Sequence, residues 1–285
     1  MGSVTARHFR NRVEDRIRDW GVVVERSLET QSSFVAFGRR GAQPVVLKVL
    51  KNRGDEWHSG EILDTFEGRG VVKVYEHIEG ALLLERLNPG NSLAEMVMDG
   101  RDDEATEIVA EVIEKMSPRR PVNACVSVQD WARGFQLYSA SGDDQIPKDL
   151  VEEGHRVYSE LCDSQSPPRL LHGDLHHYNV VFDSDRGWLA IDPKGVVGEI
   201  EYEIGAALRN PYEKPELYAQ ASTVERRLEH FAARLNLDFK RALGWAFAQA
   251  VLSVIWGVED GFAVGRRNPC LALAEAIRPM LEARF

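Results

Sequence analysis

The chain has 285 residues, enough for two lobes that each bury a core. With 44% hydrophobic and 28% charged residues it is neither disordered nor fibrous in composition. Acidic residues outnumber basic ones 45 to 35, and the net charge of -10 argues against nucleic acid as the main partner while suiting a cationic small molecule.

In chain order, Phe9, Val13, Ile17 and Trp20 recur at three- and four-residue spacing, which predicts a helix over 7–20 ended by Gly21. Strand-like runs follow at 22–28, 33–40 and 44–51, separated by turn material at 29–32 and 41–43. Asp55 is suited to cap a helix running to Phe66. Two further strands, 71–78 and 81–87, flank a turn at Glu79–Gly80. "NPGNSL" (88–93) punctuates the chain, so a first lobe over 1–87 and a second over 88–285 are expected.

The second lobe reads as mainly helical, over 93–99, 103–117, 128–138 and 147–163. Two short strands, "NVVF" and "GWLAID", interrupt it. Ser222 and Glu225 have capping-box spacing, Asp238 is placed to cap the most apolar helix, and 269–283 closes the chain. That apolar stretch, 242–258, carries Gln249 and Ser253 and is short for a membrane span, so a buried helix and no membrane are expected. The fold class expected is α+β: a small β-rich lobe on a larger helical one. Cys125, Cys162 and Cys270 form neither a CxxC pair nor a Cys/His cluster, which suits a reducing cytoplasm. The N-terminus has no apolar core of the secretory kind.

The chemistry concentrates in "LLHGDLHHYNVVF" (170–182) and "IDPK" (191–194). Asp174 and Asn179 have four residues between them, and Asp192 follows Asn179 by thirteen. Transfer of a phosphoryl group from ATP to a hydroxyl needs an Asp that orients the hydroxyl and accepts its proton. It also needs an Asn and a second Asp on the magnesium ions. One short loop and the hairpin after it can deliver all three to one cleft. Asp and Asn are also common turn residues, so the spacing alone is compatible with a polar turn. The flanking histidines and the two-lobe pattern upstream favour the catalytic reading.

"HGDLHHYN" with "IDPK" resembles the catalytic and metal motifs of the aminoglycoside phosphotransferases, which share the protein-kinase-like fold. "IDPKGVVGEIEYEIGAALRNP" (191–211), "LLLERLNPGNSL" (82–93) and "WGVEDG" (256–261) resemble more narrowly the aminoglycoside/hydroxyurea antibiotic-resistance kinases, the group that includes the streptomycin 6-kinases. The resemblance implies Asp174 as catalytic base, Asn179 and Asp192 as magnesium ligands, and ATP as donor. On the nucleotide side it implies Lys48 on the α- and β-phosphates, held by Glu61, with Glu56 as the alternative. Glu85, through its carbonyl, and Leu87, through its amide, would meet adenine. No GxGxxG is present; Ser32 and Ser33, in the turn that takes its place, are expected to serve the phosphates.

His172 and Glu203 are read as braces of the catalytic loop, and His176 as a possible substrate contact. Glu259 and Asp260, at the end of the apolar helix, are expected to face Asp174 across a cationic acceptor. The function expected is an ATP- and magnesium-dependent kinase for an aminoglycoside of the streptomycin type. The alternatives are a metabolic kinase for a sugar or amino alcohol, and a nucleotide-binding pseudokinase. Retention of Lys48, Asp174, Asn179 and Asp192 together argues against the last.

Overall fold

The computed structural model describes residues 2–116, 120, 125–265 and 268–283. Helix α1 (Gly2–Asp19) packs Phe9, Val13 and Ile17 on one face of an antiparallel sheet, joined there by Trp20 just past its end. The sheet consists of β1 (Val23–Glu29), β2 (Ser33–Arg40), β3 (Gln43–Leu50), β4 (Val74–Ile78) and β5 (Ala81–Glu85), in the order β1-β2-β3-β5-β4. Side chains alternate faces along a strand. Val45, Leu47 and Val49 of β3 therefore join the α1 core, while Val46 and Lys48 point to the opposite face.

The segment between β3 and β4 differs from the single capped helix expected from Asp55 to Phe66. A 3₁₀ turn (Asp55–His58) precedes α2 (Ser59–Thr65), and His58, at φ -107° and ψ 13°, breaks the helical path between them. The Trp57 carbonyl accepts the Gly80 amide at 2.9 Å, a bond to the β4–β5 turn. Asp55 caps nothing through its side chain.

Beyond β6 (Pro89–Ser92) the chain is mainly helical: α3 (Leu93–Met98), α4 (Asp102–Met116), then the short β7 (Val126–Ser127), α5 (Val128–Trp131), α6 (Arg133–Ser141) and α7 (Lys148–Asp163). The last residue of the helix expected over 103–117 lies outside the described residues. Next come β8 (Arg169–Leu171), β9 (Val180–Asp183), β10 (Gly187–Ala190) and β11 (Val196–Gly198), followed by α8 (Gly205–Leu208), α9 (Pro215–Tyr218), α10 (Ala221–Leu235), α11 (Phe239–Glu259) and α12 (Pro269–Glu282). The strands form two small sheets, β10-β9-β6 and β7-β11-β8.

Helix α11 is the centre of the larger lobe. Asp238 caps it by accepting the Arg241 amide at 3.0 Å, and Trp245, Phe247 and Leu252 are fully buried in one continuous core. It is long and apolar enough to cross a membrane, but most of it is buried within the protein, as in a core helix. The expected capping box on α10 is absent: the helix starts at Ala221, behind Gln220, so Ser222 lies inside it. Ala190 ties the two parts of the fold together, donating to the Gly70 carbonyl at 2.8 Å and accepting from the Val72 amide at 2.9 Å.

Candidate active site

The loop leaving β8 is held from behind. Glu203, 3% exposed, accepts the amides of His172 at 2.7 Å and Gly173 at 3.0 Å, and its burial pushes the carboxyl up to about 7. Gly173 has φ +81°, which favours glycine, and a Cβ there would crowd Val196 at 3.0 Å. The His172 ring bridges two segments: Nε2 donates to the Ile191 carbonyl at 2.8 Å, and Nδ1 accepts the Asp174 amide at 3.3 Å. Asn179 donates its Nδ2 to the Asp174 carbonyl at 3.0 Å, which clamps both ends of the loop together.

The carboxylate of Asp174 stands between two cations and beside a histidine. Lys194 Nζ is 3.4 Å from Oδ2, Arg209 Nη2 is 3.6 Å from Oδ1, and His176 Nε2 is 4.0 Å away. Burial alone raises the carboxyl's pKa, but Lys194, His176 and Arg209 outweigh it and hold the group well below the usual carboxylate range. It is ionised at neutral pH and able to accept a hydroxyl proton's hydrogen bond.

The hairpin β9–β10 delivers the second acid. Val180 pairs with Ala190, and the Ile191 amide continues the ladder by donating to the Asn179 carbonyl at 2.9 Å. Asp192, the next residue, turns at φ +58°, a left-handed conformation uncommon outside glycine. Its Oδ1 lies 2.8 Å from Lys48 Nζ, and the same ammonium lies 2.5 Å from Glu56 Oε2. Burial lowers the affinity of Lys48 for its proton, but Asp192 and Glu56 reverse the effect and the net shift is upward. The expected Lys48–Glu61 pair is therefore replaced by Lys48–Glu56. Glu61 lies on the exposed side of α2, because the 3₁₀ turn presents Glu56 to the sheet instead. The side chains of Asn179 and Asp192 offer oxygens suited to a hard cation. Magnesium at phosphate sites takes one or two protein ligands beside the phosphates, so this pair fits it.

Lys48 and Asp192 end a cavity of about 300 Å³. Val35 and Val46 from the sheet and Val181 and Ile191 from the hairpin segment give it apolar walls, and Glu85 and Leu87 lie along it. The Glu85 side chain turns away to the Lys73 amide and Arg186. Ser33 is buried with its amide and hydroxyl both at Thr30 Oγ1, at 2.9 Å, so it braces the turn; Ser32 is exposed.

The acceptor side departs from expectation. Glu259 lines a different cavity, with Tyr138 and Asp143, and Asp260 is exposed at the end of α11. Among the described residues neither acid forms an ion pair with the loop that carries Asp174. The helix is one turn too long for them: Trp256, not the acids, lies beside the loop, with Lys194 Nζ 5.7 Å from its ring. Trp131 stands edge-on to Trp256 at 5.4 Å. His176 lies 6.0 Å from the Tyr178 ring, and the Tyr178 hydroxyl donates to Glu213.

The profile of the aminoglycoside/hydroxyurea antibiotic resistance kinase family matches residues 20–261. The chain belongs to that family. It is a kinase, a phosphotransferase with a hydroxyl acceptor. Streptomycin 3''-kinase of Klebsiella pneumoniae is 32% identical over 240 residues, covering 82% of this chain and 87% of that protein. Streptomycin 6-kinase of Streptomyces griseus is 30% identical, over 75% of this chain and 71% of that one. Among solved structures, aminoglycoside phosphotransferase APH(4)-Ia superposes with a TM-score of 0.67 at 14% identity, covering 96% of this chain and 99% of that chain. Choline kinase LicA of Streptococcus pneumoniae gives 0.62 at 15%, covering 97% and 99%. These place the chain in the protein-kinase-like fold.

Sequence reasoning missed three members of the site. Lys194 stood inside a quoted motif without a role. Asp55 reads as a helix cap, yet its Oδ2 is 3.7 Å from Lys194. Arg209 lies 35 residues beyond Asp174, near the end of the quoted 191–211 stretch, where nothing local gives it a role; the fold brings it to the loop.

Proposed function

We propose that this kinase transfers the γ-phosphoryl group of ATP, with magnesium, to a hydroxyl of an aminoglycoside of the streptomycin type. The observation that carries the reading is Lys48 at 2.8 Å from Asp192, at the inner end of an apolar cavity fit for adenine, with Asn179 tied to Asp174 alongside. The sequence likeness to streptomycin kinases supports the acceptor class.

ATP enters with its base between Val46 and Ile191, and Lys48 binds the α- and β-phosphates, steadied by Glu56. Magnesium, held by Asn179 and Asp192, would neutralise the phosphate charge. Asp174 accepts a hydrogen bond from the acceptor hydroxyl, fixes its oxygen in line with the γ-phosphorus and takes the proton as the new bond forms. His172 and Glu203 hold the loop so that the carboxylate does not drift. The scattered cysteines, Cys125, Cys162 and Cys270, suit a cytoplasmic enzyme.

The test is a transfer assay with ATP and magnesium over streptomycin, hygromycin B, hydroxyurea, choline and simple polyols. Phosphorylated streptomycin is the expected product. Transfer to choline or a polyol with none to any aminoglycoside would assign a metabolic acceptor instead.

A further inference from the structure

We infer that Lys194 is a catalytic residue whose ammonium leaves Asp174 during turnover and binds the phosphoryl group in flight. The inference rests on the proposed phosphoryl transfer from ATP and adds to it the group that stabilises the transition state.

Among the described residues three cations stand around Asp174 and Asp192, and two of them are committed. Lys48 is closed between Glu56 at 2.5 Å and Asp192 at 2.8 Å. Arg209 is 8% exposed and donates its Nη1 to Gln249 at 3.1 Å. Lys194 differs. Its ammonium contacts Asp174 at 3.4 Å and Asp55 at 3.7 Å, both longer than a closed charge-assisted hydrogen bond. The base of the residue is nonetheless fixed, because its amide donates to the His172 carbonyl at 3.0 Å. Gly195 follows at φ +74°, where a Cβ would meet Ile62 at 2.3 Å, so α2 packs directly on this backbone. A fixed backbone carrying a four-carbon arm along the Trp256 face gives an ammonium that can move while its anchor stays.

Its position is where charge develops. Lys194 contacts Asp174 on one side and Asp55 on the other, and Asp55 adjoins Glu56, the partner of Lys48. The Lys194 head therefore lies between the acid proposed to hold the acceptor and the segment that steadies the proposed phosphate-binding lysine. In the transfer, a bond forms from the acceptor oxygen to the γ-phosphorus as the bond from phosphorus to the β–γ bridging oxygen breaks. The hydroxyl proton passes to Asp174 and the electron pair leaves on ADP. The acceptor hydroxyl takes over the Asp174 oxygen that Lys194 contacts, and the freed ammonium donates to the equatorial phosphoryl oxygens. An interaction made only at that stage raises kcat and leaves ground-state binding alone.

The experiment compares wild type, Lys194→Gln and Lys194→Arg in three measurements. These are titration with AMP-PNP and magnesium, titration with ADP, magnesium and aluminium fluoride as a mimic of the transferring phosphoryl, and steady-state turnover with streptomycin and with water as acceptors. The expected result for Lys194→Gln is AMP-PNP affinity within threefold of wild type, about 100-fold weaker binding of the fluoride complex and about 100-fold lower kcat. Lys194→Arg recovers at least part of both losses. Lys194→Gln that binds the fluoride complex like wild type overturns the inference: with normal turnover Lys194 is only a surface partner, and with lowered turnover it only positions Asp174. Equal loss of AMP-PNP and fluoride-complex affinity also overturns it, assigning a ground-state role. A wild type that hydrolyses ATP and binds the fluoride complex but phosphorylates no aminoglycoside sinks the acceptor assignment alone, and the Lys194 comparison is then read on binding and hydrolysis.

Discussion

Lys48 Nζ lies 2.5 Å from the Oε2 of Glu56, while Glu61, five residues further on, stands exposed on α2. The 3₁₀ turn decides between them. Glu56→Gln leaves Lys48 buried with Asp192 as its remaining carboxylate partner, and a charge-assisted bond of this kind is worth about 1.5–3 kcal/mol. The expected outcome is a KM for ATP raised about tenfold or more. Glu61→Gln should leave kcat and KM within about twofold, the behaviour of an exposed surface change. Steady-state kinetics with varied ATP separate the two variants.

Asp174→Asn should keep nucleotide affinity and lower kcat by about 100-fold or more, the usual scale for loss of a general base. The Asn side chain can still contact Lys194 and Arg209 through its oxygen, so the loop is expected to stay folded. The check pairs an AMP-PNP titration with turnover, and near-normal turnover would remove Asp174 from the chemistry.

Asp192→Ala removes a proposed metal oxygen and one partner of Lys48 together. Turnover should fall to background, and raising magnesium should not restore it. Wild-type turnover should vanish in excess EDTA and return on adding magnesium. Activity that persists in EDTA would take the metal out of the mechanism.

The fold was legible where pattern has one meaning. Alternating Val45, Val46, Leu47 and Lys48 put the lysine on the cleft face of β3, and the spacing of Phe9, Val13 and Ile17 marked α1. Asp174, Asn179 and Asp192 were legible because the loop and hairpin that gather them are contiguous in sequence. What failed was local competition between conformations. Asp55 reads as a cap, but Trp57 gives its carbonyl to Gly80 from a distant turn, and the helix starts later. Glu259 and Asp260 were placed by their chemistry, while the length of α11 placed Trp256 at the loop instead. Arg209 reaches Asp174 through packing of α8 on α11, which no short-range pattern encodes.

His172 makes the loop sensitive to acid. The neutral ring both donates from Nε2 to Ile191 and accepts at Nδ1 from the Asp174 amide, and a proton on Nδ1 would set two N–H groups against each other. Burial, the largest cause, pushes its pKa down to about 4 from 6.5. The unfolded chain therefore takes up this proton near pH 6.5 and the folded chain only near 4. The stabilisation is complete above 6.5 and is lost as pH falls through that window. His176 and His177 are shifted down by burial as well and act in the same direction. His172→Gln keeps a donor for Ile191 and carries no titrating ring. It should be less stable than wild type at pH 7.5, and the gap should narrow on going to pH 4.5, by on the order of 2 kcal/mol. Denaturant unfolding of both proteins at pH 7.5, 6.0 and 4.5 measures this. A gap that stays constant with pH would mean that the His172 ring is not held neutral by the fold.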